Sequence, residues 1–126
     1  MRQLERQGQT IFFQRVRLHK DTRDLPIWAT PNGGKRNVIE AANLKRSGVV
    51  AGVPDVFCAC PNLIGEHGLF MEAKIGKGKL STAQTEMHAK LRQQGYNVQV
   101  VSGKTPVDLS NALWDTLRRY LQLMDD

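Results

Sequence analysis

Apolar positions return along this chain at two different intervals, and the switches between them lay out its elements. From Leu4 to Leu18 they fall near a helical period, with Leu4, Ile11, Phe12 and Val16 close to one stripe among Arg and Gln. Leu25-Pro26-Ile27-Trp28-Ala29-Thr30 is a strand-like run closed by the turn Pro31-Asn32-Gly33-Gly34. Val38 to Ser47 predicts a second helix with Ile39, Ala42 and Leu44 inward, and Gly48 is placed to cap it. Two short runs follow, Asp55 to Cys60 and Leu69 to Lys74. Both are rich in Val, Phe, Leu and Met and bounded by Gly or Pro, so they read as buried strands. After the basic loop Ile75-Gly76-Lys77-Gly78-Lys79, Ser81-Thr82-Ala83-Gln84 has the form of a capping box. It opens a helix to Gln94 with Met87 and Leu91 inward, and Gly95 ends it. Tyr96 to Val101 is a further strand, and Val107 to Met124 a final amphipathic helix carrying Leu109, Leu113, Leu117 and Tyr120. No repeat or linker interrupts the series. The pattern predicts one α/β domain over residues 1–126, a small mixed sheet flanked by helices, with Phe12, Phe13, Trp28 and Trp114 in its core.

Composition changes this picture in one respect, the charge. A chain of 126 residues, 40% hydrophobic and 24% charged, is ordinary for a globular domain that builds a core without disulfides or structural metal. Eighteen Lys and Arg against twelve Asp and Glu give a formal net charge of +6, which favours a polyanionic partner. Nucleic acid comes first and an anionic membrane second, because no apolar run approaches the ~20 residues of a spanning helix. The stretch Met1-Arg2-Gln3-Leu4-Glu5-Arg6-Gln7 has no apolar signal-peptide core, so a cytoplasmic location is expected. Cys58 and Cys60, two apart on one strand, are badly placed to bridge each other and read as reduced thiols. A zinc site from Cys58, Cys60 and His67 is the rival reading, but the spacing matches no common finger pattern and supplies no fourth ligand.

Candidate chemistry lies on the two central strands. Gly52-Val53-Pro54-Asp55-Val56-Phe57 is followed by Leu69-Phe70-Met71-Glu72-Ala73-Lys74. Strand alternation puts Glu72 and Lys74 on one face and Met71 and Ala73 on the other. A neighbouring strand beginning at Asp55 would bring a second carboxylate to the same place, giving two hard oxygen ligands for Mg²⁺ or Mn²⁺ beside one fixed cation. The carbonyl of Ala73 is a further candidate ligand. Phosphodiester hydrolysis needs such a set: an activated water, neutralised charge at phosphorus, and help for the leaving oxygen. Taken singly the motifs are weak, since Glu-x-Lys also describes an ion pair on a solvated strand and Pro-Asp a common turn.

Asn32-Gly33-Gly34-Lys35-Arg36, Gly48-Val49-Val50-Ala51-Gly52-Val53-Pro54-Asp55, Phe70-Met71-Glu72-Ala73-Lys74, Lys79-Leu80-Ser81, Gln84 and Gly95-Tyr96 together resemble the VRR-NUC family of the PD-(D/E)xK nuclease superfamily. The match runs through nearly the whole chain in order, and is closest to the compact stand-alone members of phages and bacteria. The resemblance implies a restriction-endonuclease-like fold and a Mg²⁺- or Mn²⁺-dependent DNA endonuclease. It implies Asp55, Glu72 and Lys74 as the catalytic core, Glu5 of the first helix as a carboxylate joining the metal shell directly or through water, and Gln84 facing the site. It also implies a homodimer acting on branched DNA, with Holliday-junction resolution among its activities. Gln84 has a competing role as the capping partner of Ser81, and Glu5 is favoured in a first turn by the helix dipole alone.

Basic residues group as Lys35 with Arg36, Lys45 with Arg46, and Lys77 and Lys79 with Lys104. Lys77 and Lys79 directly follow the Glu72 strand, so DNA-backbone contact is expected there. Asn32, Lys35 and Arg36 form a turn and basic pair suited to phosphate. Backbone contacts position DNA without reading bases, which predicts selection by structure rather than sequence. Gly76-Lys77-Gly78-Lys79-Leu80-Ser81 is not a nucleotide-binding P-loop, because Leu80 stands where Ser or Thr is required. The rival functions are a DNA-binding module with structural carboxylates and an RNase on the same fold.

Overall fold

The computed structural model describes residues 3–31 and 37–124. Four helices and four strands alternate as α1 (Gln3–Leu18), β1 (Ile27–Ala29), α2 (Val38–Arg46), β2 (Val56–Cys58), β3 (Leu69–Ile75), α3 (Thr82–Gln93), β4 (Asn97–Gly103) and α4 (Pro106–Leu121). The strands form one sheet in the order β1-β2-β3-β4. β1 and β2 run antiparallel, as do β2 and β3, while β3 and β4 run parallel. That last pairing requires a crossover, and α3 provides it.

One face of the sheet holds the core. Val56, Cys58, Leu69, Met71, Ala73 and Val101 pack there against Phe12, Phe13 and Val16 of α1 and Leu109, Leu113, Trp114, Leu117 and Tyr120 of α4. The two helices meet closely because residue 8 is glycine: a Cβ there would lie 2.8 Å from Leu109 Cδ2. α4 starts one residue earlier than its apolar pattern indicates. Thr105 caps it, its hydroxyl accepting from the Asp108 N–H at 3.1 Å, and Pro106 fills the first helical position, where no N–H is needed. Tyr120 ties the far end to the sheet side by donating its hydroxyl to the Cys60 carbonyl at 2.6 Å. Cys58 is buried in this core, where burial and the neighbouring Cys60 push its thiol up to about 12.

The structure corrects several expectations. Leu4 and Ile11 are exposed, and the buried stripe of α1 is Gly8, Phe12, Phe13 and Val16. α2 forms, capped by the Asn37 side chain on the Glu40 N–H at 2.7 Å, and Gly48 takes the expected positive φ after it. Yet it buries nothing: Ile39 is 74% exposed, Ala42 is exposed and Leu44 only half-buried. Its weak apolar stripe has no partner, because α2 packs against no other helix or strand among the described residues. Met87 and Leu91 are half-buried, and the buried residue of α3 is His88. Trp28 is not core either. It is 48% exposed on edge strand β1, its ring edge-on to Phe57, which in turn stacks on Phe70.

Candidate active site

Glu72 and Lys74 rise from the face of β3 opposite Met71 and Ala73, which are in the core as strand alternation demands. The register sets Val56 of β2 opposite Met71, so Asp55, immediately before β2, comes level with Glu72. Asp55 fixes itself there: its Oδ2 accepts the Ala73 N–H at 2.8 Å. A residue's N–H and C=O leave an extended strand on the same edge, so the Ala73 carbonyl is also turned to the Asp55 side. Both carboxyls are only 3% exposed. Burial first, then the hydrogen bond and charge of Asp55, push the Glu72 carboxyl up to about 9, against the opposing pull of Lys74.

α3 closes the site from above. Gly52 allows this, since it has a φ of +89° and a Cβ on it would stand 2.3 Å from the Ala83 carbonyl oxygen. The Gly52 backbone, two residues before Pro54, therefore rests on the first turn of the helix. Gln84 does both things its position suggests. Its Oε1 accepts the Ser81 N–H at 2.9 Å in a complete capping box and also lies 3.4 Å from Lys74 Nζ. One helical turn on, His88 is 1% exposed and sets Nε2 3.5 Å from Glu72 Oε1. Burial, then the positive charges of Arg92 and Lys74, hold its imidazole below the usual histidine range. The sequence reading did not include His88. Its signal was position, four residues beyond Gln84 on the same helical face.

Asp55, Glu72, Lys74, Ala73 and Gln84 are thus brought together. Glu5, half-buried in the first turn of α1, stands further off, and its charge is the smallest of the influences raising Glu72. No group of three or more His, Cys, Asp or Glu side chains is close enough to hold a metal ion among the described residues. That covers Cys58, Cys60 and His67 as well, and His67 is engaged through Nδ1 with the Gln94 carbonyl at 2.8 Å. A Mg²⁺-type ion needs only one or two carboxylates with water and substrate oxygens. Asp55 and Glu72 fit it, as adjacent buried oxygen donors.

Around this centre the exposed Lys77 and Lys79 follow β3 past the turn at Gly76, whose N–H bonds the Gly103 carbonyl at 2.9 Å and brings exposed Lys104 alongside. Lys45 and Arg46 are exposed at the end of α2. Asn32, Lys35 and Arg36 lie outside the described residues. A cleft of about 720 Å³ adjoins the site between α2, the 48–53 loop and the start of α3, lined by Lys45, Gly52, Val53 and Gln84 among others. Neither Asp55 nor Glu72 lines it, so it neighbours the chemistry rather than housing it. No described helix is long and apolar enough to cross a membrane.

Comparison with known proteins identifies the fold and the family. The sequence profile of the VRR-NUC domain matches residues 3–105. A solved structure described as a VRR-NUC domain protein is 28% identical, with a TM-score of 0.75, over 99% of this chain and 93% of its own. No curated protein matches the chain significantly. With more than half of its length matched in sequence and its α/β fold shared, the chain belongs to the VRR-NUC domain family of nucleases.

Proposed function

We propose that this chain is a single-domain endonuclease that hydrolyses DNA phosphodiester bonds with Mg²⁺ or Mn²⁺ held by Asp55 and Glu72. The observation that carries the reading is the burial of these two carboxyls side by side, with Lys74 the adjacent cation. Two acids so placed repel, and a divalent cation relieves that repulsion. Such an ion supplies charge neutralisation at the phosphate and lowers the pKa of water.

The chain's own residues do the rest. Glu72 would hold the ion as its carboxylate, beside Asp55. Asp55 is kept in place by the Ala73 N–H, so little reorganisation is needed. The Ala73 carbonyl offers one more oxygen on that side. Glu5 of α1 would join the metal shell, directly or through water. Lys74, steadied by Gln84, sets positive charge where the phosphorane develops negative charge. Lys77, Lys79 and Lys104 grip the backbone, joined by Asn32, Lys35 and Arg36, which favours discrimination by DNA shape.

The substrate we propose is branched DNA, including four-way junctions, cut by a homodimer with paired sites in the cytoplasm. The uncovered apolar residues of α2 and the following loop, Val38, Ile39, Val49 and Val50, are the surface a second copy would bury. Sedimentation should then give twice the monomer mass, and Ile39→Glu should return it to one.

Cleavage of a labelled four-way junction, flap, duplex, single strand and RNA, with Mg²⁺, Mn²⁺ or EDTA, tests the chemistry. Metal-dependent cutting that falls roughly 10²- to 10⁴-fold in Lys74→Ala is the expected result. Binding without cutting in both proteins would leave a DNA-binding module. Faster cutting of RNA than DNA would leave an RNase.

A further inference from the structure

We propose that His88 is the positioning residue of this site, donating from Nε2–H to Glu72 Oε1 and so fixing which carboxylate oxygen is presented to the metal. The inference rests on the metal-dependent reading above. It begins from two orphans facing each other. Glu72 Oε1 and both ring nitrogens of His88 are buried with no hydrogen-bond partner among the described residues, and Nε2 and Oε1 are 3.5 Å apart. A buried polar atom left unsatisfied is costly, so a shift of a few tenths of an ångström that joins them is favoured. A neutral imidazole has one N–H to give. Spent on Oε1, it leaves the other oxygen of Glu72 to the cation. A carboxylate held in this way is presented in one orientation and needs no rearrangement on loading.

The backbone explains why the two groups meet. Along α3, Gln84, His88 and Arg92 recur every four residues, about 6 Å of helix rise. Along β3, Lys74 and Glu72 are two residues apart, about 6.6 Å. The spacings match, so two successive turns of the helix meet β3 in register, Gln84 on Lys74 at 3.4 Å and His88 on Glu72 at 3.5 Å; one turn further, Arg92 Nη2 donates to the Val98 carbonyl of the neighbouring β4 at 2.9 Å. The capping box at Ser81 and the close seat of Gly52 fix the start of this ladder. His88 is its only member with neither a hydrogen bond nor exposure. A side chain kept there for packing alone would be replaceable by any apolar group of its size.

Mn²⁺ binding to the DNA-free protein, measured by calorimetry, separates these roles for His88→Gln, His88→Asn and His88→Leu. Gln can place an amide N–H near the Nε2 position, whereas Asn can reach only Nδ1 and Leu offers none. We expect Gln to stay within about 3-fold of wild type and Asn and Leu to lose about 10- to 100-fold in Mn²⁺ affinity. DNA binding in EDTA should be unchanged in each. Thermal unfolding identifies any variant that fails to fold, and the Gln and Asn pair, both polar, decides the matter without Leu. Wild-type Mn²⁺ affinity in Asn, or equal loss in folded Gln and Asn, would overturn the role of His88 and leave the metal site standing. No Mn²⁺ binding by wild type would overturn both.

Discussion

Glu72 is an acid kept from water beside another acid, and its proton is the most sensitive report of that arrangement. Its carboxyl stands at about 9 in the folded, metal-free protein, against 4.5 for an unperturbed group, so the folded form keeps a proton that the unfolded form gives up between those values. The stability this confers is complete below the unfolded value and drains away as pH rises through the folded one. Metal-free protein should therefore melt at a lower temperature at about pH 8.5 than at about pH 6, and Mg²⁺ should diminish the difference. Glu72→Gln cannot ionise, so its melting temperature should exceed that of the metal-free wild type at about pH 8.5, on the order of 5 °C, while cleavage is lost. Equal pH slopes for the two proteins would contradict this. At this scale the sequence spoke clearly where chemistry needs unlike residues at short spacing, as in Pro54-Asp55 and Glu72-x-Lys74. It was silent on His88, because one histidine in an amphipathic helix looks the same whether it turns to solvent or to a buried carboxylate.

Between elements, the decisive contact is the seat of Gly52, three residues before Asp55, on the first turn of α3. Gly52→Ala meets both obstacles at once, a left-handed φ of +89° and a Cβ driven into the Ala83 carbonyl. It should destabilise the protein by about 3 kcal/mol, read from urea unfolding, and reduce cleavage more than DNA binding, since Asp55 and Gln84 move relative to each other. A fully active, equally stable variant would show that the loop is not seated there. Strand and helix periods in the sequence located nearly every element, because α1, β3 and α4 each bury a continuous face. They misjudged α2 and Trp28 for one reason: an apolar pattern states which face would be buried, not whether a partner exists. β1 is three residues long for a related cause, since it pairs only with the three residues of β2 and ends at the sheet edge.

Over the whole molecule, the net charge of +6 has a local form in Lys77, Lys79 and Lys104, joined by the bond from Gly76 to Gly103. If Lys77 and Lys79 each neutralise one phosphate, Lys77→Ala with Lys79→Ala should weaken binding on every DNA in the panel alike. It should also make the plot of log affinity against log salt shallower by about 2. An unchanged slope would place the backbone elsewhere. Fold class and charge were both legible in the sequence at this scale, whereas the number of copies in the working assembly was not, because self-association depends on which apolar faces stay uncovered. α2 is such a face, and its isolation has a consequence for measurement. A helix of nine residues that packs on no helix or strand among the described residues is marginal in water, so its amide protons should trade for deuterium quickly while those of β3 wait for global unfolding. Slow exchange in α2 would then register whatever comes to lie on it. If its half-life lengthens with protein concentration the cover is another copy of the chain, and if it lengthens only when a junction is added the cover is DNA.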